Sequence, residues 1–274
     1  MISTVILTKN EAGDLPACLE SLRWCDDVHV LDSGSADLTV AIAEAAGARV
    51  ALHPFEGFGR QRNHALDTLP FAHPWVLFLD ADERTPSAFV EAMRNAVATA
   101  PPETAGFYCC PKLILDGRWL RRSDSFPKWQ FRLVRHGRAR FVNYGHGQKE
   151  AEVDGLLGTL REPYLHYGFS KGWEVWKARH RRYAAQEAAE RLSGLAAVAW
   201  GDLFRNRSLR NKALKPLVSR LPGWPLLRFV HAYVLTGGFL DGGPGLRYCL
   251  ALAAYERDIV REMGTLRKQR KEAR

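Results

Sequence analysis

The segment WVLFLDADE is an apolar, aromatic and branched run that ends on Asp80 and Asp82. Two carboxylates two residues apart at a strand exit, where the chain turns, can converge on one cation, and core packing asks for no such pair. A hard cation such as Mg²⁺ or Mn²⁺ takes oxygen ligands and is commonly shared between carboxylates and substrate phosphates. As a Lewis acid it offsets the negative charge that builds on a departing phosphate group. The competing reading is that these acids only favour the N-terminus of a following helix near Pro86 to Val97.

For such groups to act, the chain must carry them to one edge. Ser3 to Thr8, Asp27 to Leu31, Arg49 to Leu52 and Trp75 to Leu79 read as short strands. Between them, Asp14 to Trp24 and Asp37 to Ala46 have helical periodicity, with Asp14 and Asp37 as N-caps. Strands alternating with helices predict an α/β fold, a doubly wound, mostly parallel sheet with helices on both faces. Ligands then lie beyond the carboxyl ends of the strands, where Thr8-Lys9-Asn10-Glu11, Asp32-Ser33-Gly34-Ser35 and Asp80-Ala81-Asp82-Glu83 all fall.

From Gly106 onward the character changes, and Gly106 to Leu115, Phe131 to Val134 and Ala139 to Val142 read as strands of a mixed extension to the sheet. Lys171 to Gly194 is a long basic helix, followed by Arg205 to Arg220, rich in Lys and Arg. Pro222 to Leu240 is apolar but holds Arg228 and His231 and is broken by Gly237-Gly238, which makes it a poor spanning helix. With Trp224, Tyr233 and flanking cations it suits an element lying in the headgroup region, or equally an amphipathic helix packed on the domain. Arg261 to Arg274 reads as a charged, frayed tail. The organisation expected is one domain over residues 1–170 and a helical, basic region over 171–274.

With 274 residues and 46% hydrophobic content, the chain is long enough for a globular domain plus an appendage. Its net charge of +9 hides a split: residues 1–100 carry 7 Lys and Arg against 14 Asp and Glu, and the remainder carries 32 against 16. An acidic half suits a divalent cation, and a basic half suits anionic lipid or nucleic acid. Nucleic-acid recognition also calls for a groove-entering motif or aromatics interleaved on a basic sheet, and neither is present. The five cysteines form no CxxC pair and read as reduced thiols, and Met1 to Leu7 runs straight into polar residues without the order of a signal peptide. Both features predict a cytoplasmic location.

The opening TVILTKNEAGDLPACLESL, then VLDSGSADLTVAIAEAAGARV, GFGRQRNHAL, WVLFLDADE, and FRLVRHGRARFVN with the loop GHGQKE span the first 170 residues in order. In that order they resemble the family 2 inverting glycosyltransferases of the GT-A fold, in particular the branch that adds sugars to lipopolysaccharide core or related envelope glycans. The resemblance implies that Thr8, Asn10 and Glu11 line the base and ribose pocket and that Asp32 binds the uracil or ribose edge. Arg60 and Asn63 match the segment flanking the nucleotide, where a basic side chain holds a diphosphate. Asp80 and Asp82 match the family's DxD, with Asp82 the direct ligand of Mg²⁺ or Mn²⁺. Of the basic run Arg132, Arg135, Arg138 and Arg140, which surrounds a strand turn, Arg132 reads as functional and Arg138 and Arg140 as a solvated edge that discourages sheet pairing.

An inverting transfer needs a base that takes the proton of the acceptor hydroxyl as that oxygen attacks the anomeric carbon. By the resemblance this base is an acid beyond the DxD: Glu150, with His146 orienting the acceptor or a phosphate, or alternatively Asp124. Many relatives have an adjacent His-Glu or Glu-Asp pair there, whereas Gly147-Gln148-Lys149 separate His146 from Glu150 in this chain. The implied donor is a UDP-sugar, and the implied acceptor a lipid-linked or core oligosaccharide met on the inner face of the cell membrane, an anionic surface. Two other readings remain in view: transfer to a polyprenyl phosphate, and a non-catalytic basic module that binds membrane or nucleic acid. A sugar nucleotidylyltransferase would need a Gly-rich phosphate loop directly after the first strand, which TKNEAGD does not supply.

Overall fold

A computed structural model of the chain describes residues 1–144, 147–194 and 223–272. His146 and the basic stretch from Arg205 to Arg220 lie outside the described residues. The chain divides into two units, one of Met1–Trp119 with Phe126–Lys171, the other of Leu120–Ser125 with Gly172–Arg274.

The first unit is built on strands β1 (Ile2–Thr8), β2 (Val28–Asp32), β3 (Arg49–Leu52), β4 (Trp75–Asp80), β5 (Glu83–Arg84), β6 (Thr104–Cys109), β7 (Pro111–Leu115) and β8 (Arg118–Trp119). These are followed by β9 (Gln130–Arg135), β10 (Ala139–Tyr144), β11 (Gly147–Val153), β12 (Leu156–Thr159) and β13 (Tyr164–His166). Its helices are α1 (Leu15–Ser21), α2 (Thr39–Ala45), α3 (Phe58–Thr68) and α4 (Ser87–Thr99).

The main sheet has the order β12-β6-β9-β4-β1-β2-β3. β4, β1, β2 and β3 run parallel, and β9 is antiparallel to both of its neighbours. This is the doubly wound sheet with a mixed extension that the sequence predicts. Because side chains alternate along a strand, β4 feeds two cores. Leu77 and Leu79 pack with Leu15, Phe89 and Met93, whereas Val76 and Phe78 pack with Ala65, Leu66, Phe131 and Phe141. Both faces are therefore covered, as a parallel sheet requires.

Two of the expected elements differ in detail. α2 starts at Thr39 rather than at Asp37, whose carboxylate instead accepts the N–H groups of Thr39 and Ala12. GFGRQRNHAL, read only as a flanking segment, contains the helix α3. It packs so closely on β10 that a Cβ added at Gly59 would lie 2.5 Å from the Val142 carbonyl carbon, so only glycine fits there.

In the second unit, α5 (Gly172–Gly194) packs Ala184, Ala188 and Leu192 against Ile259 and Met263 of a long helix over Gly242–Glu272. Arg191 holds Glu256 through its two terminal guanidinium nitrogens at 2.8 and 3.1 Å, and the Trp224 indole N–H donates to the same carboxylate at 2.9 Å. The apolar stretch is broken at Gly237-Gly238, as the sequence predicts. A helix over Trp224–Val230 runs into a π turn at His231–Leu235, and a 3-10 turn follows at Gly238–Asp241. Gly237, at φ 75°, separates the two turns. The expected frayed tail is corrected: residues 261–272 continue the long helix, since Leu, Arg, Lys, Met and Glu are good helix formers.

Candidate active site

β4 delivers Asp80 at its last position, and β5 starts three residues later with Glu83. Between them and β9 lies a cluster of buried charge. The Arg132 guanidinium donates through Nη2 to Asp80 at 2.9 Å and to Glu83 at 2.7 Å, and through Nε to Gln130 at 2.9 Å. Arg62, fully buried on α3 between the rings of Phe78 and Phe141, stands 3.6 Å from the other Asp80 oxygen. Burial works against ionisation of Asp80, but Arg132 and Arg62 outweigh it and hold the carboxyl well below the usual carboxylate range. Burial dominates at Glu83 and pushes it up to about 7.

Asp82 faces a different partner. β13 pairs antiparallel with β5 so that His166 lies opposite Glu83, and the Tyr167 N–H donates to the Asp82 carbonyl at 2.8 Å. That register sets the His166 imidazole 3.4 Å from the Asp82 carboxylate. Burial alone would push His166 down, but Asp82, then Glu83 and Asp80, raise it to about 9. Among the described residues no group of three or more His, Cys, Asp or Glu side chains could hold a metal ion by itself. Asp82 offers an oxygen donor at one partly exposed point, and His166 beside it offers a nitrogen donor once an incoming cation displaces its proton. A divalent cation there would complete its shell with substrate phosphate oxygens and water, the usual habit of Mg²⁺ and Mn²⁺, and the residues fit that role.

The loops after β1 and β2 are knitted together. Asp32 is buried and accepts four hydrogen bonds: from the N–H groups of Gly34 and Ser35, from the Thr8 hydroxyl at 2.8 Å and from the Ser35 hydroxyl at 2.5 Å. These bonds overcome burial and keep its carboxyl below the ordinary range. Asn10, at φ 55°, accepts the Ala36 N–H with its side chain and donates its own N–H to Ser35. Glu11 forms an ion pair of 2.6 Å with Lys171, although burial lifts it to about 7.

Thr8, Asn10, Glu11 and Asp32 are thus brought to one edge. Arg60 and Asn63 stand apart from them. Arg60 is exposed and pairs with Glu56, while both polar atoms of the Asn63 amide bond the backbone of Phe141 and tie α3 to β10.

A cleft of about 440 Å³ opens beside the charged cluster, lined by Asp80 and Arg132 together with Tyr108, Trp129, Tyr144, Lys149 and Glu150. The Tyr108 hydroxyl donates to Glu150 Oε1 at 2.6 Å, and burial together with that carboxylate pushes the phenol up to about 12. Glu150 therefore shares the cleft with Asp80. Asp124 belongs to the second unit, is buried, and accepts the Tyr248 hydroxyl at 2.5 Å.

Sequence reasoning gave no role to Arg62, His166 or Lys171, and placed Glu83 at the sheet edge without a partner. Arg62 had a signal: Gly59, Arg62 and Leu66 share one face of α3, so recognising that helix would have buried Arg62 and turned Arg60 outward. His166 has none within its neighbourhood, because it reaches Asp82 only through the pairing of two short strands far apart in sequence.

Compared with known proteins, residues 3–147 match the family described as glycosyl transferase family 2. The chain is 31% identical over 277 residues to the lipopolysaccharide core biosynthesis glycosyltransferase LpsC of Rhizobium meliloti, covering 95% of this chain and 94% of that protein. It is 40% identical to a glycosyltransferase of Rickettsia typhi over 88% of this chain and 81% of the relative. Among solved structures, glucosyl-3-phosphoglycerate synthase of Mycobacterium tuberculosis, in complex with phosphoglyceric acid, aligns with a TM-score of 0.45 and 20% identity. That alignment covers 68% of this chain and 78% of that one.

Proposed function

The chain belongs to glycosyl transferase family 2, and from that premise we propose that it moves a hexose, with inversion, from a UDP-sugar to a core or lipid-linked oligosaccharide of the bacterial envelope. The observation that carries the reading is one cleft lined both by Asp80, at the exit of β4, and by Glu150, on β11. The lipopolysaccharide core acceptor follows from the likeness to LpsC over nearly the whole chain. Such acceptors are met at the inner face of the cell membrane, and no helix among the described residues is long and apolar enough to cross it.

Asp82 and His166 are the residues to hold Mg²⁺ or Mn²⁺, which when bound supplies Lewis-acid neutralisation of the leaving diphosphate. Arg132 and Arg62 keep Asp80 ionised beside that point. The tied loops at Thr8, Asn10 and Asp32 shape the nucleotide side, with Glu11 and Lys171 at their border. Glu150 takes the acceptor proton as the acceptor oxygen attacks from the face opposite the phosphate. Tyr108 fixes one of its carboxylate oxygens, which leaves the other for the acceptor hydroxyl.

The test follows donor hydrolysis and sugar transfer separately, with and without EDTA. Glu150→Gln should lower transfer by about 10²- to 10⁴-fold, while metal-dependent binding of the UDP-sugar persists. Transfer at the wild-type rate in that variant rejects Glu150 as the base, and turnover indifferent to EDTA rejects the metal.

A further inference from the structure

We propose that the second unit carries a docking surface for an anionic lipid bilayer, formed by the two turns and helix flanks between Trp224 and Leu250. Nine large apolar side chains in this short stretch are exposed, among them Leu226 at 65%, Leu235 at 73% and Leu240 at 56%. They are not scattered. Leu226, Leu227, Val230 and Val234 recur at helical spacing on one flank, Leu235, Phe239 and Leu240 sit on the turns, and Leu246 and Leu250 stand one turn apart on the long helix. Contiguous exposed apolar surface of this kind marks a partner or a membrane.

Charge selects between them. From Gly223 to Tyr255 the sequence holds one acid, Asp241. That acid is buried, accepting the N–H groups of Arg122 and Ser123 at 2.9 and 2.7 Å and the Ser123 hydroxyl at 2.6 Å. The same contacts draw the loop Leu120–Ser125 onto the turn, so exposed Arg121 and Arg122 stand beside the apolar residues, with Arg247 exposed and Arg228 half-buried on the flanking helices. A second copy of the chain docking face to face would set these cations against one another across the same acid-poor stretch. A lipid surface answers both features, its phosphates meeting the arginines and its upper acyl region taking the leucines and Phe239. The helix breaks at Gly237 and Gly238 suit an element that lies in the interface rather than crossing it.

The experiment is flotation of the full chain with vesicles of phosphatidylglycerol and phosphatidylethanolamine, and separately with phosphatidylcholine alone, at low and high salt. Binding is expected only to the anionic vesicles and should fall as salt rises. The double change Leu235→Glu and Phe239→Glu should weaken it by more than about tenfold, and Arg→Gln at 121, 122 or 247 by about fivefold each. UDP-sugar hydrolysis in solution should stay at the wild-type rate in the double variant, so the docking surface can fail without touching the catalytic reading. The proposal is overturned if the wild-type chain ignores both vesicle types or if the double variant floats like the wild type. It is equally overturned if light scattering shows a dimer that the double change dissociates without lipid.

Discussion

The two ends of the parallel sheet hold charged clusters that look alike in sequence and behave differently in the fold. At the carboxyl ends, Asp80, Asp82 and Glu83 meet Arg132, Arg62 and His166 beside a cleft. At the amino ends, Asp27 accepts the Ser3 hydroxyl at 2.5 Å and the Ala72 N–H at 2.8 Å, and its other oxygen faces His29 at 3.0 Å and Arg49 at 3.1 Å. A Ser, a His and an Asp are thus together at the amino end, yet the acid stands between the other two, so the imidazole cannot take the hydroxyl proton. Ser3, Asp27 and His29 are also wholly buried. Residue types make a site only when their order and their access to solvent allow it. The amino-end cluster is a clamp that joins β1, β2 and β3 to the turn before β4.

That contrast is broken most sharply by paired substitutions. Asp82→Ala should lower metal-dependent donor turnover on the order of a thousandfold with little change in urea midpoint, because Asp82 is partly exposed beside His166. Asp27→Asn should do the opposite, leaving kcat near the wild-type value and costing about 1–3 kcal/mol of stability in urea unfolding, since the amide keeps one oxygen for the Ser3 hydroxyl and the Ala72 N–H but loses the charge and sets an NH2 group against Arg49 where the second oxygen stood. If Asp27→Asn instead lost turnover with its midpoint intact, the division between clamp and site would be wrong.

How much of this could be read in advance depends on the distance over which each contact is made. β1 and β4 were legible because each is a mostly apolar, buried run, and the polar residues after them fell at one sheet edge because parallel topology leaves no other place. The Glu150 cleft was approached only through family likeness, since β10 and β11 meet as a hairpin beside β9 without any periodic signal. Asp124 carries no such signal either: RRSDSF looks like a polar active-site loop, and its partner Tyr248 is 124 residues away in sequence, where no local pattern announces it. The Asn63 amide likewise bonds the Phe141 backbone, a partner visible only once α3 and β10 are packed.

The smallest effect sharpens the clamp further. His29 is enclosed by Asp27 and Arg49 at one ring edge, with Phe71 5.2 Å away edge-on, and its Nδ1 has no hydrogen-bond partner among the described residues. Burial lowers its pKa below 6.5, Asp27 only partly opposes this, and Arg49 adds to the cost of a second positive charge. The unfolded chain therefore takes up a proton before the folded one as pH falls through about 6.5. By linkage, the stability that neutral His29 contributes is fully present above that pH and is lost below it, with a slope of at most about 1.4 kcal/mol per pH unit. Asp27 stays ionised across the same window, because the bonds from Ser3 and Ala72 hold its carboxyl low. Urea midpoints measured between about pH 7.5 and about pH 5.5 should fall for the wild type and fall less for His29→Gln, the difference isolating one proton. Equal slopes in the two proteins would mean that the His29 pKa is the same folded and unfolded, and a wild-type midpoint that rose as pH fell would mean that His29 is protonated in the folded state and that the clamp is an ion pair.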